Sequence, residues 1–455
     1  MFDPCITHHA CRQMAKPFPN RRAALRVISS AVEHCLHTAG VTCSIHVSPT
    51  NSKPLQALVC KGFFVFGHGG GVARNAKVVS SACTRGANCI TKRWRTGSFP
   101  IFLTRTCMIS FYNPLHHRHA PVHEFYRGER VPCFEKPVRA QYVETALIER
   151  GHGLLEPDVD SSPVLSQVHA PRYLAFLQAA WQQWLALDAS NTAVQPFPSV
   201  WPVRSLRSDV EPDNFVAKLG LYSMDNGTPM AEGTWEAVKA GADAAASAAA
   251  RVAQGARAAF CCTRPPGHHA GPDFMGGYCF INNAAVAAQW LRNHGSGRVA
   301  LLDVDYHHGN GTQSIFYDRA DVLFISLHGD PRTEYPFYLG HADETGEGEG
   351  AGFNLNLPMP AGTTAEQWFA ALEQACVRIA QYQADTLVVS LGLDAFEDDP
   401  ISRFALKTSD FTRLGERLAV LGLPTVFVLE GGYAAAELGT NAVNVLDGFE
   451  RAAAP

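Results

Sequence analysis

The sequence predicts an α/β protein whose central sheet is mainly parallel and flanked by helices, on three observations. Short apolar runs alternate with longer helix-like stretches along residues 108–455. The runs are apolar throughout rather than at every second position, as in strands covered on both faces. The end of each run carries a cluster of polar, reactive residues, and open α/β sheets place their sites beyond the carboxyl ends of their strands.

Taken in order, the helix-like stretches are Pro137–Arg150, Pro171–Leu187, Gly233–Gln254, Asn282–Asn293, Ala365–Gln383 and Ser409–Leu421. Among them lie the runs Ala258–Cys262, Val299–Val304, Val322–Leu327, Thr386–Leu391 and Thr425–Leu429, rich in Val, Ile, Leu and Phe. Runs this short fit strands better than helices, and strands alternating with helices build a parallel sheet. The expected architecture is a single α/β domain without internal repeats.

The first 107 residues differ. They hold 14 of the 38 Lys and Arg residues but only two of the 42 acids, Asp3 and Glu33, and eight of the 13 cysteines. The remainder holds 24 basic and 40 acidic residues. No Cys-x-x-Cys pair occurs in residues 1–107, so a zinc ribbon has little support. A transit peptide, a basic arm and a nucleic-acid patch share this basic composition. The expectation taken forward is a basic, Cys-rich extension that is unstructured, or a mistaken start with the true one at Met108. The acidic domain at 108–455 suits a cationic substrate, or solubility alone. No apolar run is long enough to span a bilayer.

The chemistry is concentrated at the run ends. Ala258–Cys262 leads into Arg264-Pro-Pro-Gly-His268-His269, and Val299–Val304 leads through Asp303 into Asp305-Tyr-His307-His308-Gly-Asn310. Val322–Leu327 ends at Ser326 and His328; the last two runs lead to Asp394 and to Glu430-Gly-Gly-Tyr433. Asp305 and His307, two positions apart in extended chain, point the same way and can face one metal ion. Asp394 from another strand completes an Asp-His-Asp set, and three protein ligands with an open position characterise a catalytic rather than a structural zinc. An isolated Asp-x-His more often just caps a strand; His308, Asn310, Asp394 and the tandem histidines nearby favour the metal.

His268 and His269 suit an acid–base pair, with Asp303 and Asn310 as orienting partners, one for each ring. Gly431 and Gly432 let the backbone turn and bring the Tyr433 phenol toward the metal, where it can donate a hydrogen bond to an oxyanion.

These motifs, with Leu302-Asp-Val-Asp-Tyr-His-His-Gly-Asn-Gly-Thr312, Ser326-Leu-His328, Leu391-Gly-Leu-Asp394 and Gly276-Gly-Tyr-Cys-Phe-Ile-Asn-Asn283, resemble the histone deacetylase superfamily. Within it the chain is most similar to bacterial acetylpolyamine amidohydrolases, over nearly all of 108–450. The resemblance implies the arginase–deacetylase fold and zinc held by Asp305, His307 and Asp394. It makes His269 the general base and acid with Asn310 behind it, His268 with Asp303 a positive charge, and Tyr433 the oxyanion donor. It further implies potassium near Asp303, Asp305, His307, Ser326 and Leu327. Tyr278 and Tyr335 match the tunnel walls, and Glu124 matches an acid at the site mouth. Asn310 stands where many protein deacetylases carry Asp, as is usual in the polyamine and class II branches.

The activity so implied is hydrolysis of acetylated polyamines to acetate and free amine. The alternative is a lysine deacetylase of the same chemistry, which an open rim would favour. Pro196–Met230, carrying Asp209, Glu211 and Asp213, resembles the insertion that narrows the tunnel in polyamine enzymes, which also dimerise. A manganese ureohydrolase needs carboxylates where this chain has Asn310 and Phe396. An Asp-His-Asp set accepts zinc or iron(II). The expected protein is a cytoplasmic homodimer with no nucleic-acid or membrane partner; free cysteines after residue 108 fit a reducing compartment.

Overall fold

The computed structural model describes residues 108–453 and, before them, the backbone of three short strands, β1 (Leu55–Cys60), β2 (Phe63–His68) and β3 (Val79–Ser80), paired antiparallel in that order. The rest of residues 1–107, with the expectations placed on that segment, lies outside the described residues.

From residue 108 onward the chain builds one eight-stranded sheet. Its strands are β4 (Ile109–Tyr112), β7 (Gly153–Leu155), β8 (Ala258–Cys262), β9 (Val299–Asp303), β10 (Val322–Gly329), β11 (Asn354–Met359), β12 (Thr386–Leu391) and β13 (Thr425–Leu429). The order is β11-β10-β9-β12-β13-β8-β4-β7, and every pairing is parallel. A separate antiparallel hairpin joins β5 (His123–Tyr126) to β6 (Glu129–Pro132). All five expected strands form.

The six expected helices form as α1 (Val138–Arg150), α3 (Pro171–Leu187), α5 (Thr234–Ala253), α6 (Asn283–Asn293), α8 (Ala365–Tyr382) and α9 (Thr408–Ala419). Four more were not expected: α2 (Ser162–Val168), α4 (Phe215–Leu221), α7 (Asn310–Phe316) and α10 (Ala435–Ala453).

The continuous apolar strands follow from burial on both faces. Side chains alternate across a strand, so Ala300 and Leu302 of β9 join one core while Val299 and Leu301 join the other. Likewise Phe427 and Leu429 of β13 face one side, and Val426 and Val428 the opposite side. The first core packs Trp368 and Leu372 of α8, Phe411 of α9 and Leu446 of α10; the second packs Phe176 of α3, Ala245 of α5 and Val286 of α6. α5 is rich in alanine and buried along most of its length, with the charged Glu236, Lys239, Asp243 and Arg251 forming its partly exposed stripe.

The order of strands also locates the site. From β9 the chain proceeds outward through β10 to β11, then returns to β12 on the other side of β9. The connections therefore diverge between β9 and β12, which leaves a crevice at their carboxyl ends, where ligands of open α/β sheets bind.

Candidate active site

The crevice between β9 and β12 holds the expected metal-binding set. Asp305, His307 and Asp394 offer donor atoms that all lie within 4.8 Å of one another, one of three such groups among the described residues. His307 Nδ1 is 3.0 Å from Asp394 Oδ2 and 3.4 Å from Asp305 Oδ1. Backbone N–H groups fix both carboxylates: Gly431 N–H donates to Asp305 Oδ2 at 2.8 Å and Tyr306 N–H to Asp394 Oδ1 at 2.7 Å.

One premise of the sequence reading is corrected. β9 ends at Asp303, and residues 305–307 form a bend beyond it, so Asp305 and His307 converge through that bend rather than through strand alternation. The bend fits because Gly431 comes in against it: a Cβ on Gly431 would lie 2.5 Å from Asp305 Oδ2 and 2.7 Å from Asp394 Oδ2.

The donor set fits a divalent cation. Asp305 and Asp394 are both fully buried, and burial together with neighbouring Asp305 pushes the Asp394 carboxyl up to about 8. Burial would raise Asp305 too, but the His268 and His307 imidazoles beside it hold it well below the usual carboxylate range. Burial likewise disfavours a charged His307, yet the two carboxylates raise it to about 10. Two buried carboxylates that close together require a positive partner, which a protonated histidine or a metal ion supplies.

The tandem histidines stand next to this cluster, each ring on the partner proposed for it. His268 Nδ1 lies 3.0 Å from Asp303 Oδ2, and His269 Nδ1 lies 2.6 Å from Asn310 Oδ1. The two rings are driven in opposite directions. Burial lowers His268, but Asp305 and Asp303 outweigh it and raise the group to about 10. Burial, with the charges of His268 and His307, pushes His269 well below its ordinary value. An Asn carbonyl oxygen only accepts, so it selects the Nδ1–H tautomer of His269 and leaves the Nε2 lone pair available as a base.

Tyr433 follows Gly432, whose φ of +122° only glycine adopts readily. Its backbone N–H donates to Asp399 Oδ2 at 2.7 Å, and the Arg139 guanidinium lies 4.7 Å from its ring centroid. Burial pushes its phenol well above the ordinary value, so it stays a proton-bearing donor. The Tyr278 ring lies 5.6 Å from the Tyr433 ring, and the Tyr335 ring meets His269 edge-on at 5.0 Å. Both expected wall residues thus border the cluster. Ser326 stands beside Asp303 in the β9–β10 register, with Leu327 following, so the residues matched to potassium are adjacent.

Glu124 lies in β5 and is buried, not open at a mouth. Tyr278 Oη–H donates to its Oε1 at 2.9 Å and Phe134 N–H to its Oε2 at 3.1 Å. Burial raises it to about 7. The acids of the insertion are largely matched internally: Asp209 pairs with Arg207, and Glu211 with Lys218 at 3.0 Å.

Several supporting residues were not foreseen. Arg139 donates from Nε to Gly432 O and from Nη2 to Glu430 O, both at 2.6 Å, and from Nη1 to Glu135 at 2.9 Å. Arg264 also pairs with Glu135. Asp225 accepts from Tyr335 Oη–H at 2.6 Å and Gly277 N–H at 2.7 Å. Arg264 stood in a quoted motif but carried no assigned role; Arg139 and Asp225 had no local signal.

Together with the family and relatives that follow, this site makes the chain a hydrolase acting on amides. The histone deacetylase domain matches residues 133–449, and the chain belongs to that family. It is 52% identical over 345 residues to acetylpolyamine amidohydrolase 2 of Pseudomonas aeruginosa, covering 75% of this chain and 99% of the relative. It is 46% identical to the acetylpolyamine amidohydrolase of Mycoplana ramosa over 71% of this chain and 94% of that protein. The crystal structure of acetylpolyamine aminohydrolase from Burkholderia pseudomallei superimposes with a TM-score of 0.72 at 39% identity, covering 76% of this chain and 99% of that one.

Proposed function

We propose that this chain removes the acetyl group from small acetylated polyamines, releasing acetate and the free amine. Its similarity to acetylpolyamine amidohydrolases over 99% of one relative's length carries the substrate class. Asp305, His307 and Asp394 would hold zinc, with iron(II) the other suitable ion; once bound, the ion supplies Lewis acidity toward the acetyl carbonyl and the attacking water. Asp303, Ser326 and Leu327 would hold a structural potassium ion.

The chain's own groups divide the proton and charge work. His269, neutral and backed by Asn310, takes a proton from water at Nε2 as the new C–O bond forms. Tyr433 donates its phenolic hydrogen bond to the carbonyl oxygen as negative charge develops there. His268, held protonated between Asp303 and Asp305, adds positive charge nearby. His269 then gives its proton to the amine nitrogen as the C–N bond breaks. Tyr278 and Tyr335 line the approach, and Glu124 behind Tyr278 favours a cationic distal group.

The exposed apolar residues Val203, Leu206 and Val210 on the insertion support a homodimer closed over this rim. Cytoplasmic location is proposed from the free cysteines Cys133, Cys261, Cys262, Cys279 and Cys376. Among the described residues no helix is long and apolar enough to cross a membrane.

The test is acetate release from acetylputrescine, acetylspermidine and an acetyl-lysine peptide, with and without chelator. Chelator-sensitive turnover favouring the small polyamines is expected. A preference for the peptide would make the chain a lysine deacetylase and remove the role given to Glu124.

A further inference from the structure

We propose that Glu430, to which nothing above gives a chemical role, is a positioning residue that holds the His268–His269 loop over the metal-binding cluster; this rests on the amide hydrolysis just proposed. The problem it solves is set by the order of the strands. The histidine pair follows β8, whereas the metal ligands follow β9 and β12, and β13 lies between β8 and β12. The loop after β8 must therefore reach across the end of β13 to bring His269 to the cluster. Glu430 is the first residue after β13.

Its carboxylate takes hold of that loop directly. Glu430 Oε2 accepts from the Gly267 N–H at 2.5 Å and from the His268 N–H at 3.1 Å. The loop is confined on its other side as well, because a Cβ on Gly267 would lie 2.5 Å from Asn283 N at the start of α6. The backbone of the same segment holds the rest of the site: Glu430 N–H donates to Leu391 O at 3.1 Å, next to the turn carrying Asp394. Glu430 O accepts from Arg139 at 2.6 Å, and the following residue, Gly431, donates to Asp305. One short segment thus ties together the acid–base loop, a metal-binding carboxylate and Tyr433.

The arrangement is costly to the fold. Glu430 is fully buried, and its Oε1 has no hydrogen-bond partner among the described residues. A half-satisfied buried carboxylate destabilises a protein, so stability alone does not account for an acid here. Two backbone N–H groups received by one oxygen, on the loop that must be placed within tenths of an ångström, do account for it.

The test compares Glu430→Gln, Glu430→Asp and Glu430→Ala in the full chain, reading kcat, KM for acetylputrescine and bound metal per chain. Gln keeps the reach and an acceptor oxygen; Asp keeps the charge but is a methylene too short. The expected order of kcat is wild type, Gln, Asp, Ala, with Ala down about 10–100-fold while KM and metal content hold. Asp matching or exceeding Gln, or Ala within about twofold of wild type, overturns the proposal. If Ala does not fold, the Gln–Asp order still decides. Wild-type enzyme inactive on every acetylated amine overturns the hydrolysis reading instead. Positioning is then read from the His268 and His269 ring signals by NMR: a shift in Asp but not in Gln supports it, and no shift in Asp overturns it.

Discussion

The floor of the site and its rim are built by opposite means. At the floor, Asp303, Asp305, Asp394 and Glu430 are all fully buried, sit at or just beyond the ends of central strands, and are held by backbone N–H groups or partner side chains. At the rim, the insertion at 196–230 is irregular apart from α4, and its Val203 and Leu206 are exposed. Its charges answer one another, Arg207 to Asp209 and Lys218 to Glu211. Rigid placement in a low-dielectric interior suits groups that must act on developing charge. A loop rim suits selection among substrates, because it can change without disturbing that placement.

The contrast predicts that substitutions at the floor change turnover, whereas those at the rim change selection or nothing. The largest effect is expected for His269→Ala, with kcat down about 10²–10⁴-fold in an acetate-release assay; a loss under tenfold would move the base elsewhere. Tyr433→Phe removes a single oxyanion donor and should lower kcat about 10²–10³-fold without loss of bound metal. Near-normal turnover in that variant would withdraw the role given to the phenol. Asp303→Asn weakens the hold on His268 and the proposed potassium site together and should cost about 10–100-fold; an unchanged kcat would mean that neither is used.

Glu124→Gln sits where floor meets rim. It should raise KM about tenfold for acetylputrescine and leave an acetyl-lysine peptide unaffected, so equal effects on both would remove the charge-recognition argument. Least of all, Asp209→Asn should change kcat/KM by no more than about twofold, because Asp209 is exposed and already paired with Arg207. A tenfold change there would show that the insertion's acids reach the substrate, which would break the division between floor and rim.

Legibility in the sequence follows the same division. The candidate metal-binding set and the histidine pair are short motifs at the ends of short, wholly apolar runs, so both the residues and their place at the sheet edge could be read. α10 was missed because Gly439, Gly448, Asn441 and Asn444 weaken its helical pattern. The structure supplies the reason for the glycines: a Cβ on Gly439 would strike the Tyr142 carbonyl, and one on Gly448 the Thr412 carbonyl. Close packing on α1 and α9 overrides propensity here. β11 escaped notice as an edge strand in which Asn354 and Asn356 alternate with leucines and Pro358 interrupts the pattern. Its asparagines turn inward to Gln313 at 3.0 and 2.8 Å.

By itself the sequence determined the class of fold, the five central strands, and the candidate site residues at their ends, because periodicity and motif spacing are local properties of a chain. Only the tertiary structure decided which residues hold the reactive groups in place. Arg139 reaches Gly432 across 293 positions, and Glu430 reaches Gly267 across 163. Those partners meet because the sheet runs β9-β12-β13-β8, an order set by packing between distant segments and written in no local pattern.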